Sequence, residues 1–411
     1  MSFSRTLALA TIKRDIARGI LEGVLQAGHQ TISLLVLIEV FVRNSGQSGD
    51  WAQAMVFSSS FIGMLLSVFY GPRLKPFGFR KATLVSIPLL CSGVFLGVAA
   101  FADSLIGFAC LVSLAQAFPA LKVPVQTQIY HENFPVRRRA TYHGWSLMAA
   151  QVSTVLFAYF AGEVLDRDAD YWPVLFAIMS ASALLAAYFT KKIPSRPLKR
   201  TMTTNPFYSL RWLYKDRLFG YLISVWFMFG FANLWIYPIR IVYLVDQMGL
   251  SPLKVTILSS VIVEVARLMF LPVWARIFDR INFILSRMIM NAFFVVGIYM
   301  YFHAETLWGI GLASFLHGVG FSGGRLSWGL WVTRMVPKER SGEYMAVHVG
   351  MTGLRGLIGP FLGFAMLNYL KPFGNHYQNI AMISSGLFLL SILMLIPVLK
   401  YGKARDELSP S

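Results

Sequence analysis

Gly71-Pro-Arg-Leu-Lys-Pro-Phe-Gly-Phe-Arg-Lys81 is a short basic stretch wedged between two long runs that carry no charge, Ala52–Tyr70 and Ala82–Ala102. Runs of about 20 apolar residues match the hydrocarbon core of a bilayer when wound as helices. Cations crowded between two such spans hold the connecting loop on the cytoplasmic side. Gly71 and Gly78 are expected to let the chain reverse between antiparallel helices.

The rest of the chain agrees with this stretch. Of 411 residues, 56% are hydrophobic, and the mean hydropathy is +0.58. Soluble domains are about 45–50% apolar, so the composition predicts a polytopic membrane protein. The net charge of +18 is distributed by loop sidedness and forms no binding face, which argues against nucleic acid as a partner. The same bias places both termini in the cytoplasm, and an integral protein of the plasma (inner) membrane is expected. Cys91 and Cys110, the two cysteines, both lie in apolar runs, so no disulfide framework is expected. Met1–Arg18 is basic and polar without a cleavage pattern, and no signal peptide is read there.

Twelve spans are predicted, and several carry polar residues at helical spacing. Span 1, Gly19–Val42, has Glu22, Gln26, His29 and Ser33 on one face. That stripe serves either interhelical hydrogen bonding or a proton path, with Glu22 and His29 as the titratable members. Span 4, Leu105–Tyr130, holds Lys122 between Pro119 and Pro124. Either the lysine satisfies carbonyls that the prolines free, or it contacts a substrate. Span 7, Leu218–Val245, aligns Trp226, Asn233, Tyr237 and Arg240. Span 8, Leu253–Ile277, spaces Glu264 and Arg267 as an ion pair, structural or switchable. Span 10, Thr306–Val336, is glycine-rich and aligns Ser314, His317, Phe321, Arg325 and Trp328. Span 11, Gly342–Leu367, aligns Tyr344, His348, Thr352 and Arg355.

The opening stretch resembles the signature loop between helices 2 and 3 of the major facilitator superfamily. Gly71, Gly78, Arg80 and Lys81 match that pattern, while Lys75 stands where its acid is expected. A second copy of the pattern ends in Asp279 and Arg280, with Ala275 in place of the first glycine. Phe134–Tyr142 likewise echoes Val336–Tyr344. The resemblance implies an all-α membrane protein of twelve transmembrane helices in two six-helix halves that are parallel repeats. The expected divisions are a cytoplasmic N-terminus over 1–18, a first bundle over 19–190, a linker over 191–217, a second bundle over 218–399 and a tail over 400–411. A short interfacial helix is expected near Phe207–Tyr214.

The resemblance also implies alternating access, with the two signature loops as gates, and a monomer. It does not name a substrate. Intramembrane charge is more informative. Arg267 has a local partner, whereas Lys122, Arg325 and Arg355 have none along the sequence. Buried cations need partners, so a small anionic solute is expected to complete a site of Lys122, Asn233, Arg267, His317, Arg325 and Arg355. Glu22, His29 and Glu264 are the expected proton-coupling groups. Export of amphipathic or lipid-like compounds is the alternative; the 33 Phe and 10 Trp allow it, although aromatics also face lipid or lie at interfaces. A non-transporting sensor on the same scaffold is a further one. An enzyme is not expected: there is no His-rich metal cluster and no nucleophile motif, and Ser322-Gly-Gly-Arg325 suits helix packing. No cofactor is predicted. The expected partners are the lipid bilayer, a small-molecule substrate and protons.

Overall fold

The computed structural model describes residues 3–43, 49–134, 139–198, 206–335 and 341–404. Every long element among them is a helix. In chain order, α1 runs Phe3–Ala27 and continues through Gly28–Ile32, Ser33–Val36 and Leu37–Val42. Next come α2 (Asp50–Leu74), α3 (Lys81–Ala99), α4 (Leu105–Leu121, continued by Val123–Asn133), α5 (Arg139–Arg167) and α6 (Trp172–Lys191). The later helices are α7 (Arg217–Val242, continued by Tyr243–Gln247), α8 (Pro252–Thr256, Ile257–Val261 and Ile262–Arg280) and α9 (Phe283–His303). They end with α10 (Leu307–Met335), α11 (Ser341–Leu370) and α12 (His376–Leu395). Nine helices among the described residues are long and apolar enough to cross a membrane.

Local chemistry sets the helix starts. Asp216 accepts a hydrogen bond from the Phe219 N–H at 3.1 Å to open α7. Asn282 accepts from the Ile284 N–H at 2.8 Å to open α9. Ser104 accepts from the Gly107 N–H at 3.2 Å to open α4. Each satisfies a donor that the first helical turn leaves unpaired.

The chain forms two compact units, Met1–Thr204 with Gly249–Ser260, and Asn205–Met248 with Val261–Ser411. Within the first, α1 packs on α5, α2 on α4, and α3 on α6. Within the second, α7 packs on α11, α8 on α10, and α9 on α12. Each unit therefore repeats one pairing scheme. The start of α8 belongs to the first unit, where the Leu253 N–H donates to Asp166 at 3.3 Å.

Glycine lets the helices of the first unit approach closely. A Cβ on Gly63 of α2 would lie 2.0 Å from the Ala117 carbonyl oxygen of α4, and one on Gly23 of α1 would lie 2.2 Å from the Ala150 carbonyl oxygen of α5. Backbone cannot yield as a flexible side chain does. Gly63→Ala is therefore expected to cost about 1–3 kcal/mol, seen as a lower melting temperature in detergent; an unchanged value would mean that α2 and α4 can separate freely.

Two features depart from the sequence reading. The first helix starts at Phe3, so residues counted as a polar N-terminal segment are helical, and Ala8 and Ile12 pack with Tyr130 and Phe134. In the signature stretch, α2 runs past Gly71 to Leu74, and a 3-10 turn follows over Lys75–Phe77. The chain reverses at Gly78 alone, with φ of +66°. The expected short helix after the first bundle is present as a 3-10 turn, Pro206–Arg211, and one α-turn, Trp212–Lys215. Trp212 donates its indole N–H to Glu343 at 2.5 Å, and Arg211 pairs with the same carboxylate at 3.2 Å. This anchors the segment to the start of α11.

Candidate functional site

Charge buried in the first unit is assembled where α1 meets α4. Arg18 pairs with Asp15 at 2.9 Å and with Glu22 at 2.6 Å. Lys122 pairs with the other oxygen of Glu22. The Arg18 Nη2 also donates to the Tyr130 hydroxyl at 2.8 Å, and that hydroxyl donates to Asp15 at 2.9 Å. With its amide oxygen turned inward, Gln126 accepts from both terminal nitrogens of Arg18 at 2.9 Å. Asp15 and Glu22 offset Arg18 and Lys122, so the cluster is neutral when all four are charged. Lys122, expected to lack a partner along the sequence, is thus corrected: packing of α1 beside α4 brings Glu22 to it as its partner. His29 stands apart from this cluster, with Nε2 buried and unpartnered. It lies in the π-helical turn Gly28–Ile32, whose extra residue shifts the register of the stripe predicted from Glu22 onward.

The signature bases serve locally. Lys81 is buried and paired with Glu132 of α4. Arg80 donates to the carbonyls of Ser195 and Ile193, each at 3.3 Å, and the Lys81 N–H donates to the Arg196 carbonyl at 3.1 Å. They hold the beginning of the linker. In the second copy of the pattern, Arg280 is exposed at the end of α8. The Asp279 side chain lies outside the described residues, as does that of Arg325.

The second unit holds its buried cations in two groups. In the first, Glu264 pairs with Arg267, and the Arg267 guanidinium lies 4.7 Å from the Phe321 ring centroid. Arg240 sits 4.3 Å from the Tyr301 ring and reaches Ser314 at 3.4 Å. His317 is enclosed by Phe294 and Phe321, each with ring centroids 4.8 Å away, and neither of its nitrogens has a hydrogen-bond partner among the described residues. The Asn233 Oδ1 is likewise buried without a partner.

The second group converges on Trp226 of α7. Arg355 of α11 donates Nη1 to the Trp226 carbonyl. Arg287 of α9 lies 4.9 Å from the Trp226 ring and 4.8 Å from the Phe229 ring, and donates to Ser327 at 2.9 Å. Trp331 packs edge-on against Trp226 at 5.6 Å, and His348 lies 5.3 Å from Trp331. The Nε atoms of Arg287 and Arg355 and the Nε2 of His348 have no hydrogen-bond partner among the described residues. No carboxylate pairs with either arginine among the described residues. Room for Arg355 comes from Gly230, where a Cβ would lie 2.1 Å from the guanidinium carbon.

Sequence reasoning missed Asp15, Arg18 and Arg287. Asp15 and Arg18 extend the Glu22 stripe toward the N-terminus at the same helical spacing. Arg287 is a cation one position inside a predicted apolar span, a signal of the kind that singled out Lys122.

The chain thus repeats one helical bundle in two units, each with ionisable side chains buried inside it. The chain belongs to the Major Facilitator Superfamily, whose model matches residues 23–360. It is a transporter by family, not an enzyme. Its fold is similar to that of the nucleoside transporter NupG, with a TM-score of 0.71 at 14% identity over 96% of this chain and 99% of that one. The xylose transporter XylE from E. coli, in a partially occluded inward-open conformation, matches with a TM-score of 0.69 at 15% identity over 94% of this chain and 97% of that one. A bacterial homologue of the human lysosomal transporter Spinster matches at 0.63 and 14% identity over the full length of both chains. No curated protein matches the sequence.

Proposed function

We propose that the protein is a proton-coupled secondary transporter that moves a small anionic organic solute by alternating access. The observation that supports the anion is the pair Arg287 and Arg355, buried or half-buried in apolar surroundings with no carboxylate partner among the described residues. Charge inside a membrane protein needs a counter-charge, and a solute can supply it. Arg325, Asn233, Arg267 and His317 are the further substrate contacts in this reading, and Lys122 acts through its link to Glu22. The two signature loops, with Gly71, Gly78, Arg80, Lys81, Asp279 and Arg280, gate the cycle of a monomer whose termini are cytoplasmic.

Glu22 is the main coupling group, with His29 and Glu264 as secondary ones. Protonating Glu22 removes the charge that holds Lys122 of α4 and Arg18 of α1 together, freeing the two helices to move apart. Glu22→Gln is therefore expected to abolish accumulation driven by a pH gradient in proteoliposomes while sparing exchange of solute at equal pH. Undiminished gradient-driven accumulation in the variant would remove Glu22 from the coupling path. Uptake that is independent of any anion, or restricted to neutral or cationic compounds, would overturn the substrate class.

A further inference from the structure

The unpartnered nitrogens around Trp226 are specific enough to name a chemical group. We propose that Arg287, Arg355 and His348 form a phosphoryl-binding site within the second unit, a step that rests on the anionic-solute reading above. Three lines converge.

Charge is the first. The two guanidinium groups contact the same residue, Trp226, one at its carbonyl and one across its ring. His348 joins them through Trp331, which packs against both the His348 ring at 5.3 Å and the Trp226 ring at 5.6 Å. Neither guanidinium has an acid beside it among the described residues. One carboxylate would leave a full positive charge uncompensated in apolar surroundings. A phosphate monoester, close to doubly charged near neutral pH, balances both.

Donor geometry is the second. The Arg287 guanidinium lies beside the Trp226 and Phe229 rings, with centroids 4.9 and 4.8 Å away. Its Nη1 donates to Ser327, and its buried Nε has no hydrogen-bond partner among the described residues. Arg355 repeats the pattern, with Nη1 on the Trp226 carbonyl and Nε unpartnered. His348 Nε2 is a third buried nitrogen without a hydrogen-bond partner among the described residues. Three unsatisfied nitrogens match the three terminal oxygens of a phosphoryl group better than the two of a carboxylate, and a guanidinium suits either.

Pre-organisation is the third. Gly230 leaves the space that the Arg355 guanidinium fills, where any β-carbon would collide with it. Stacked rings and a backbone carbonyl hold both arginines in place before a ligand arrives, which lowers the ordering cost of binding. Arg287 and Arg355 are the contact residues, and Gly230 is a positioning residue.

The test is a thermal-shift titration of the purified full chain with inorganic phosphate, methyl phosphate, a lysophosphatidic acid, acetate and choline. A ligand that binds only the folded protein raises its melting temperature. Phosphate also stabilises proteins non-specifically by exclusion from their surfaces, and that part persists in every variant. The expected result is a saturable shift with phosphate or methyl phosphate that weakens on the order of 100-fold in Arg287→Gln and in Arg355→Gln. Gly230→Ala improves helix propensity and displaces only the flexible end of Arg355. It is expected to fold normally and still lose the saturable shift. A response confined to the lysophosphatidic acid would assign the same chemistry to a lipid headgroup. Wild-type phosphate affinity in all three variants would overturn the site. Acetate binding as well as phosphate would overturn the phosphoryl assignment and leave the anion reading intact. If no anion binds while another solute is transported, the functional reading itself fails.

Discussion

Arg355→Met is expected to abolish transport and, at the same time, to raise the melting temperature of the ligand-free protein. The two effects share one cause. Arg355 is 9% exposed, and it is buried beside a second guanidinium without an acid partner among the described residues. Burying charge that is not compensated is costly. Its hydrogen bond to the Trp226 carbonyl offsets little of that cost, because this carbonyl sits inside a helix and already has a backbone donor. Methionine fills a similar volume and removes the charge. Replacing poorly compensated buried charge by apolar groups stabilises by about 1–4 kcal/mol. Transport should fall by roughly 100-fold or more, the usual consequence of removing one partner of a buried charge contact. Arg355→Lys separates the contributions: it keeps the charge, and so the instability, but loses the planar fork. Thermal unfolding and proteoliposome uptake on the three proteins read both effects. A melting temperature that falls while transport survives would mark Arg355 as a packing residue.

The opposite sign is expected in the first unit. Arg18 is buried, with Asp15, Glu22, Tyr130 and Gln126 arranged around it. Arg18→Met leaves Asp15, itself 1% exposed, with no cation, and Glu22 with Lys122 alone. Breaking one partner out of a buried charge group costs about 3–5 kcal/mol. Adding Asp15→Asn removes the stranded charge and should recover a large part of the loss. The double-mutant cycle then gives a coupling of about 1–3 kcal/mol, read by chemical or thermal unfolding. Strict additivity would show that the two side chains do not act as a unit.

Much of this architecture was legible along the chain because a bilayer imposes a simple rule on composition. Long uncharged runs, basic loops and the partial signature at Gly71–Lys81 led to the helices, their repeat and the family. The pair Glu264 and Arg267 was legible because it is local, three residues apart on one helix. What stayed hidden depends on contacts between helices. Lys122 looked solitary because its partner, Glu22, is 100 residues away. Asp15 and Arg18 were assigned to a tail because charge usually marks the end of a span, and nothing local shows that Tyr130 and Ser146 cover them. The reach of Arg287 to Trp226 requires knowing that α7 and α9 are neighbours. The stripe through His29 was read at a fixed helical period, which cannot foresee the π-turn at Gly28–Ile32.

Those wide turns have a consequence of their own. They occur in α1 at Gly28–Ile32 and Leu37–Val42, in α7 at Tyr243–Gln247, and in α8 at Ile257–Val261. A π-turn stores one residue more than an α-turn needs. It is slack wound into an otherwise taut rod. If that residue is passed along the helix, everything beyond it swivels by about 100° without a break in the backbone ladder. In α8 the slack lies immediately ahead of Glu264 and Arg267, so a local rewinding there would turn this ion pair toward different neighbours while leaving the helix intact.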